Sequence, residues 1–339
     1  MKSNKKVNSS ILVLFTGIFI FSVRIISAEN FKIIDIPVNI KTEENVARVS
    51  IVNNLSKTGE IYRVGDIIII GDAIYATFSK TCEVIKFNLN GKIESRIGRA
   101  GAGPAEFKWI CPAKPYKNQV AVLDQKLRKI AIFNQKLELI KEFRLKFGYT
   151  DFFVDKQNRF IFISPSDKNY YFEICSEEGK PEKFFGKTKY PQSQKIVDGA
   201  LEFEDVWVTL YIPDQNGVLA GFSNRYDLLY YKNEKQTLEI RAAKGFFESR
   251  VENIMGKNYK MPKDRVLYLA RSQNRLYYFY NRSQKTFCDI FDINNFRLIR
   301  RLRIFPGCVK ITHYKENIFY GLRYDSNQED DLILVKITL

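Results

Sequence analysis

The sequence is poor in the residues on which most enzyme chemistry runs. It holds one histidine, His313, among 339 residues. A Ser-His-Asp arrangement would have to use that imidazole. It stands in Ile311-Thr312-His313-Tyr314 and reads more simply as a strand or loop histidine bonded to a neighbour. Zinc sites need clustered His or Cys ligands. The five cysteines, Cys82, Cys111, Cys175, Cys288 and Cys308, are scattered and form no C-x-x-C pair. No metal site and no cofactor is therefore expected. An odd cysteine count leaves at least one free thiol in a monomer, with one disulfide left open. Strand-like neighbours such as Thr286-Phe287-Cys288-Asp289-Ile290 suggest buried small hydrophobes. Only 10 prolines occur, and no segment is rich in Pro, Gly or Ser, which excludes a linker-dominated or disordered chain. The longest apolar run, residues 11–23, is short of the roughly 20 residues that a membrane-spanning helix needs.

What is present points to strands. The chain is 45% apolar and carries 27 Phe and 19 Tyr, residue types that suit a pleated, half-buried surface. The formal net charge is +16, spread along the sequence. A basic surface attracts nucleic acid, anionic lipid or acidic polysaccharide, but dispersed Lys and Arg read as solvated strand faces. The densest patch, Arg297, Arg300, Arg301 and Arg303, reads as an exposed outer strand.

At the N-terminus Lys2, Lys5 and Lys6 precede the apolar run, Arg24 stops it, and Ile26-Ser27-Ala28 supplies a small-residue ending before Glu29. These are the three parts of a cleaved export signal. Residues 1–28 are expected to be a signal peptide and residues 29–339 a single domain, exported to the periplasm or the extracellular space. Export makes a nucleic-acid partner unexpected, and removal of the leader leaves no membrane span. An uncleaved leader would instead act as an N-terminal membrane anchor.

The rest of the chain repeats one pattern. Asp66-Ile67-Ile68-Ile69-Ile70, Ala73-Ile74-Tyr75-Ala76-Thr77-Phe78, Glu83-Val84-Ile85-Lys86-Phe87 and Lys92-Ile93-Glu94-Ser95-Arg96-Ile97 read as four strands. Asn90-Gly91 between the last two is a hairpin signal for a type I′ turn. Strand–turn–strand copies recur with Tyr75, Ala121, Ile161, Leu219, Tyr277 and Phe319 as equivalents. Six copies of a four-stranded antiparallel unit make an all-β, six-bladed β-propeller. The last copy ends at Leu339 after its third strand. The N-terminal strand is expected to close the ring by supplying the fourth, with residues 31–37 as the candidate, since closure removes exposed sheet edges.

Residues 97–107, Ile97-Gly98-Arg99-Ala100-Gly101-Ala102-Gly103-Pro104-Ala105-Glu106-Phe107, follow Ile74-Tyr75 and Asn90-Gly91-Lys92-Ile93. This order resembles NHL-type repeats and the bacterial six-bladed, TolB-like β-propellers. The resemblance implies that the Gly-rich stretch links the outer strand of one blade to the inner strand of the next, with Phe107 between blades. Enzymatic members of such families place several His and acidic residues around the channel; with His313 alone, the resemblance carries fold and export but no activity. A phosphate cradle at Gly98 to Gly103 is disfavoured, because no Gly-Lys-Ser/Thr and no helix-forming segment follows.

One segment offers a binding or catalytic set. In Ala200-Leu201-Glu202-Phe203-Glu204-Asp205-Val206-Trp207, the carboxylates Glu202, Glu204 and Asp205 suit glycoside chemistry, and Trp207 suits stacking on a sugar. An ordinary polar loop beside one core aromatic is the simpler and favoured reading. The expected function is non-catalytic: binding or scaffolding of a protein or carbohydrate ligand by loops at one mouth of the channel, including residues 187–217 and 244–263. An envelope hydrolase or lyase acting on a carbohydrate or ester through acidic residues is the alternative.

Overall fold

The computed structural model describes residues 32–36, 42–43, 47–55, 64–163, 170–187, 195–197, 200–202, 206–212, 216–222, 226–242, 249–254, 257–262, 264–283, 285–304, 308–324 and 332–339. The expected leader lies outside these. Three short strands come first: β1 (Lys32–Ile36), β2 (Thr42–Glu43) and β3 (Arg48–Asn54). Blade 1 contains β4 (Val64–Ile70), β5 (Ala73–Phe78), β6 (Glu83–Asn88) and β7 (Ile93–Ile97). Blade 2 contains β8 (Ile110–Tyr116), β9 (Gln119–Asp124), β10 (Lys129–Phe133) and β11 (Leu139–Arg144). Blade 3 contains β12 (Phe152–Val154), β13 (Phe160–Ile163), β14 (Tyr170–Cys175) and β15 (Pro181–Lys187). After β16 (Lys195–Val197) and β17 (Ala200–Glu202), blade 4 contains β18 (Val206–Ile212), β19 (Gly217–Phe222), β20 (Asp227–Lys232) and β21 (Lys235–Ala242). After β22 (Ser249–Ile254) and β23 (Lys257–Pro262), blade 5 contains β24 (Arg265–Ser272), β25 (Arg275–Arg282), β26 (Lys285–Asp292) and β27 (Leu298–Ile304). Blade 6 contains β28 (Lys310–Lys315), β29 (Ile318–Tyr324) and β30 (Leu332–Thr338).

Each blade is an antiparallel meander. First strands of successive blades are neighbours, from β4 through β8, β12, β18, β24 and β28 and back to β4. They line a central channel, and the fourth strands face outward. The fold is a six-bladed β-propeller of four-stranded antiparallel blades. All six residues aligned as equivalents, Tyr75, Ala121, Ile161, Leu219, Tyr277 and Phe319, lie on the second strand of their blade.

The core is divided among the blade interfaces. Six apolar clusters each join two adjacent blades, and the sixth joins blade 6 to blade 1. Successive residues of one strand serve opposite neighbours: Ile74, Ala76 and Phe78 pack toward blade 6, Tyr75 toward blade 2. Strands buried on both faces read as continuous apolar runs rather than alternating ones, as in Phe160-Ile161-Phe162-Ile163. The abundant aromatics fill these wedges, with Phe172 and Phe185 stacked at 4.8 Å and Tyr231 against both.

The ring is closed by an N-terminal strand, but not by residues 31–37. The closing strand is β3, antiparallel to β30 from Arg48↔Thr338 to Asn54↔Ile333. The segment proposed from its apolar character, β1, instead lies parallel to β21 on the outer edge of blade 4. There it buries Ile36 against the core between blades 4 and 5. β2 is likewise added parallel to β27 of blade 5. β1, β2 and β3 thus sit on the outer edges of blades 4, 5 and 6 in turn. With β2 outside it, β27 is not a fully exposed strand: Arg301 is buried, in a two-pronged ion pair with Asp289.

The Asn90-Gly91 hairpin is real, but its turn is not type I′. Only Gly91 has positive φ (+75°). Its N–H donates to the Asn88 carbonyl at 2.9 Å, and Asn88 Oδ1 accepts from the N–H groups of Asn90 and Lys92, each at 3.0 Å. This is a type I turn followed by a left-handed residue. The arrangement recurs at Asn134, whose Oδ1 accepts from Lys136 and Glu138 N–H groups at 2.9 Å, with Leu137 at φ +65°.

The Gly-rich crossing links blade 1 to blade 2 as the resemblance implied, with Phe107 fully buried between them. Gly98 has φ +102°, and a Cβ there would lie 2.5 Å from the Cys82 carbonyl oxygen and 3.1 Å from the Phe107 ring. Gly98→Ala is therefore expected to cost about 2 kcal/mol, visible as a lowered melting temperature.

Cys82, Cys175, Cys288 and Cys308 are buried thiols outside any disulfide. Burial pushes the Cys308 thiol up to about 12 and raises Cys288 well above the ordinary thiol range. Thiolates are the reactive form. Peptides containing these four residues should remain unlabelled by maleimide in the native protein and become labelled in guanidinium. Labelling of any of the four before unfolding would contradict the packing.

Candidate functional site at the channel mouth

The topology sorts the loops onto two faces. Each first strand starts on the face where the preceding blade's fourth strand ends. Blade-to-blade crossings and the turns between second and third strands share this crossing face. The two crossings that flank blade 4 carry extra strands, and these assemble with one another: β16 pairs β17, β22 pairs β23, and β17 meets β23 in parallel at Leu201↔Tyr259. The result is an accessory four-stranded sheet built from the two insertions singled out in the sequence.

Glu202 ends β17 in that accessory sheet, and Trp207 is the second residue of β18 on the inner strand of blade 4. Glu204 and Asp205 lie outside the described residues. The backbone thus puts Glu202 and Trp207 on different sheets at two ends of one crossing.

A different set of residues converges at the channel. Lys114 on β8 reaches Asp66 of blade 1 at 3.3 Å and Asp151, just before β12 of blade 3, at 3.1 Å. A side chain that touches both neighbouring blades lies toward the axis. Tyr268 on β24 belongs to blade 5, opposite blade 2, yet its hydroxyl feels both Lys114 and Asp66 across the channel. That hydroxyl accepts from the His313 N–H at 3.4 Å on β28. The set therefore draws on blades 1, 2, 3, 5 and 6. Asp151 immediately precedes β12 and Asp66 is the third residue of β4, so both stand in the crossing-face half of the channel.

The side chains of Lys114, Asp66 and Asp151 retain 25%, 18% and 14% of their accessible surface, so channel water still reaches them. Asp66 Oδ1 accepts from Ile67 N–H at 2.9 Å, and Oδ2 from Ala113 N–H at 3.2 Å. Asp151 Oδ1 accepts from Phe152 N–H at 2.8 Å. Burial works against the Lys114 ammonium, but the Asp151 and Asp66 carboxylates outweigh it and raise its pKa. Burial raises the Asp151 carboxyl, with Lys114 opposing and Asp66 adding to the shift. Burial likewise raises the Tyr268 phenol, which stays protonated at neutral pH.

Over this frame the comparisons with known proteins agree. Residues 54–299 match the model of the DUF5128 family, described as a 6-bladed beta-propeller. The chain belongs to this family. The DUF5128 chain has no match among curated proteins. It resembles a candidate exported protein from Bacteroides fragilis, at 12% identity over 91% of this chain and 99% of that one, TM-score 0.59. A DUF4221 family member from Bacteroides vulgatus is also 12% identical, over 88% and 98%, TM-score 0.57. Virginiamycin B lyase from Staphylococcus aureus is 13% identical, over 86% and 99%, TM-score 0.53. At such identities the likeness is one of fold.

Other polar features of this DUF5128 propeller are structural. His313 Nε2 lies 2.9 Å from the Glu316 carbonyl oxygen, with its ring 4.9 Å from Phe319, as a hairpin histidine would. In the Gly98 crossing, the Ala102 and Gly103 N–H groups donate to Glu106 Oε2 at 3.0 and 2.8 Å, and Arg99 pairs with Oε1. Those N–H groups and Arg99 hold the Glu106 carboxyl below its ordinary range. The protein's own carboxylate occupies the place a phosphate would take. Among the described residues, no group of three or more His, Cys, Asp or Glu side chains is placed to hold a metal ion, and no helix is long and apolar enough to cross a membrane.

Sequence reading missed Lys114, Asp151 and Tyr268. Asp66 was read only as the start of an apolar strand. The available signal was a charged or hydroxyl residue on the first strand of a repeat, but Pro112 and Pro115 hide β8 as a strand.

Lys114→Met would leave Asp66 and Asp151 with no cation between them. The expected loss at pH 8 is about 2 kcal/mol, below the roughly 3–5 kcal/mol of a fully buried pair, because the partly accessible channel screens the charges. Removing the ammonium raises the folded-state pKa of Asp151 further. The folded protein then binds this proton more tightly than the unfolded chain does. The loss is greatest above the folded pKa and shrinks as pH falls toward the unfolded value of about 3.9. Urea melts should show a smaller deficit at pH 5 than at pH 8; an equal or larger one would contradict the assignment.

Proposed function

We propose that this propeller is an exported, non-catalytic binding protein that holds its ligand at the crossing-face mouth of the channel. The observation that carries the reading is the partly accessible set of Lys114, Asp66, Asp151 and Tyr268, gathered from four blades onto one channel. Polar groups converging in a concave site are the usual mark of a ligand pocket. The accessory sheet leaves the ring from the same face and supplies further contact surface. Lys114 is held protonated and is no nucleophile. The His313 ring sits on its own hairpin. Export is supported by the leader pattern in residues 1–28, with residues 29–339 as the mature domain, and by the exported character proposed for the Bacteroides fragilis protein of the same fold.

The test is a thermal-shift panel of neutral and acidic saccharides, lactones, amino acids and short peptides, with each compound re-examined by mass spectrometry after long incubation. The reading expects a saturable rise in melting temperature from one class, with the compound recovered unchanged. Turnover would favour a hydrolase or lyase acting through the carboxylates, and no stabilisation by any class would remove the site. Mature protein starting at Glu29 is the expected result of N-terminal sequencing.

A further inference from the structure

The channel set has unspent hydrogen-bonding capacity of a particular kind. An ammonium has three donors, and Lys114 uses one on Asp66 and one on Asp151. Among the described residues no third acceptor is in reach. Asp151 Oδ1 takes both the Phe152 N–H and Lys114, while Oδ2 has no donor among the described residues. The Tyr268 oxygen accepts from His313 N–H and is also hydrogen-bonded to the Thr312 side chain; with the Thr312 hydroxyl as donor, the phenol proton is left for a ligand. The site therefore presents a charged donor and a charged acceptor on neighbouring blades, with a neutral donor across the channel.

Charge narrows what fits. Two carboxylates and one ammonium leave an excess of one negative charge. A carboxylate or phosphate ligand would meet Asp66 and Asp151 as it approached Lys114. A free amine would have to displace Lys114 from the same two carboxylates. A neutral hydroxyl meets neither obstacle, because it donates to Asp151 Oδ2 and accepts from Lys114 at once. Hydrogen bonds to ionised partners are about twice as strong as neutral ones, so a hydroxyl seated between Lys114 and Asp151 is held by two such bonds.

We infer that the channel mouth binds a neutral saccharide unit through adjacent hydroxyls, with Lys114 donating, Asp151 accepting and Tyr268 donating from the opposite blade. This rests on the binding function proposed above and names the ligand class for that site.

The test uses isothermal titration of the whole exported protein with maltose, cellobiose, lactose and mannobiose, and with glucuronic acid and glucosamine as charged counterparts. At least one neutral disaccharide should bind saturably. Glucuronic acid should bind at least about tenfold more weakly, given the site's excess negative charge, and glucosamine likewise, because its ammonium would compete with Lys114 for the same two carboxylates. Asp151→Asn should weaken the neutral sugar by about tenfold and narrow the discrimination against glucuronic acid, an effect that mere structural damage would not produce. Tyr268→Phe should weaken binding more modestly, about threefold, as loss of one neutral hydrogen bond does. The exposed turn variant Lys136→Ala serves as the control and should bind normally. Each variant is checked by thermal melting first. The inference is overturned if no neutral saccharide binds, or if Asp151→Asn binds as the parent does. A non-saccharide bound at the channel and recovered unchanged would overturn it while leaving the binding function standing; turnover of any compound would overturn that function itself.

Discussion

A chain begun at residue 57 is expected to lose cooperative unfolding, whereas one begun at residue 46 keeps it. The two differ by β3, which pairs with β30 over the length of blade 6. Without β3, β30 becomes an open edge, and the interface between blades 6 and 1 loses Leu55, which is 1% exposed. It also loses the bond from Asn53 Nδ2 to the Gly91 carbonyl, 3.0 Å, which ties blade 6 to blade 1. An opened ring exposes β edges that invite aggregation. Starting at residue 46 removes only β1 and β2. That forfeits burial of Ile36, worth about 1.5–3 kcal/mol. It also removes the exposed pair Asp35–Arg241 and the half-exposed pair Glu43–Arg300, which contribute little. Near-UV circular dichroism and urea melts distinguish the outcomes. A cooperative transition for the chain begun at residue 57 would show that β3 is dispensable.

The second large effect is expected at Arg301. Arg301 donates from Nε and Nη2 to Asp289 at 2.7 and 2.6 Å, and Tyr226 and Tyr280 also donate to this carboxylate. Asp289 is fully buried and Arg301 4% exposed, beside the core shared by blades 4 and 5. Arg301→Leu strands the carboxylate without its counter-charge. Breaking a buried pair in this way costs about 3–5 kcal/mol. Adding Asp289→Leu should recover part of the loss, because the isolated buried charge is then gone. A loss under about 1 kcal/mol for the single variant would mean that the pair behaves like an exposed one.

Arg301 also shows what sequence could and could not convey. Its neighbours Arg297, Arg300 and Arg303 give the strand an exposed look, and only the addition of β2 beyond β27 changes that. The central strands of each blade were readable because both faces are buried, so Tyr75 and Phe160 stand in unbroken apolar runs. The ring-closing strand was misplaced for a related reason. β1 is apolar because Ile34 and Ile36 pack on blades 4 and 5, while β3, an outer strand, exposes Arg48, Ser50 and Ile51 to solvent. The fourth strands β7 and β11 are similarly half-exposed, so the missing fourth strand should have been sought in a mixed, polar segment. The channel set was least legible. Lys114, Asp66, Asp151 and Tyr268 lie on four different blades, and only closure of the ring brings them together. Glu202 and Trp207, five residues apart in sequence, lie on two different sheets.

The most direct test of the channel-mouth site is a crystal structure of the protein grown with the tightest-binding neutral disaccharide. The account predicts a sugar ring in the channel within hydrogen-bond distance of Lys114 Nζ and Asp151 Oδ2, with Tyr268 on its far side. Sugar bound on the rim or on the accessory sheet, with only water beside Lys114, would contradict it.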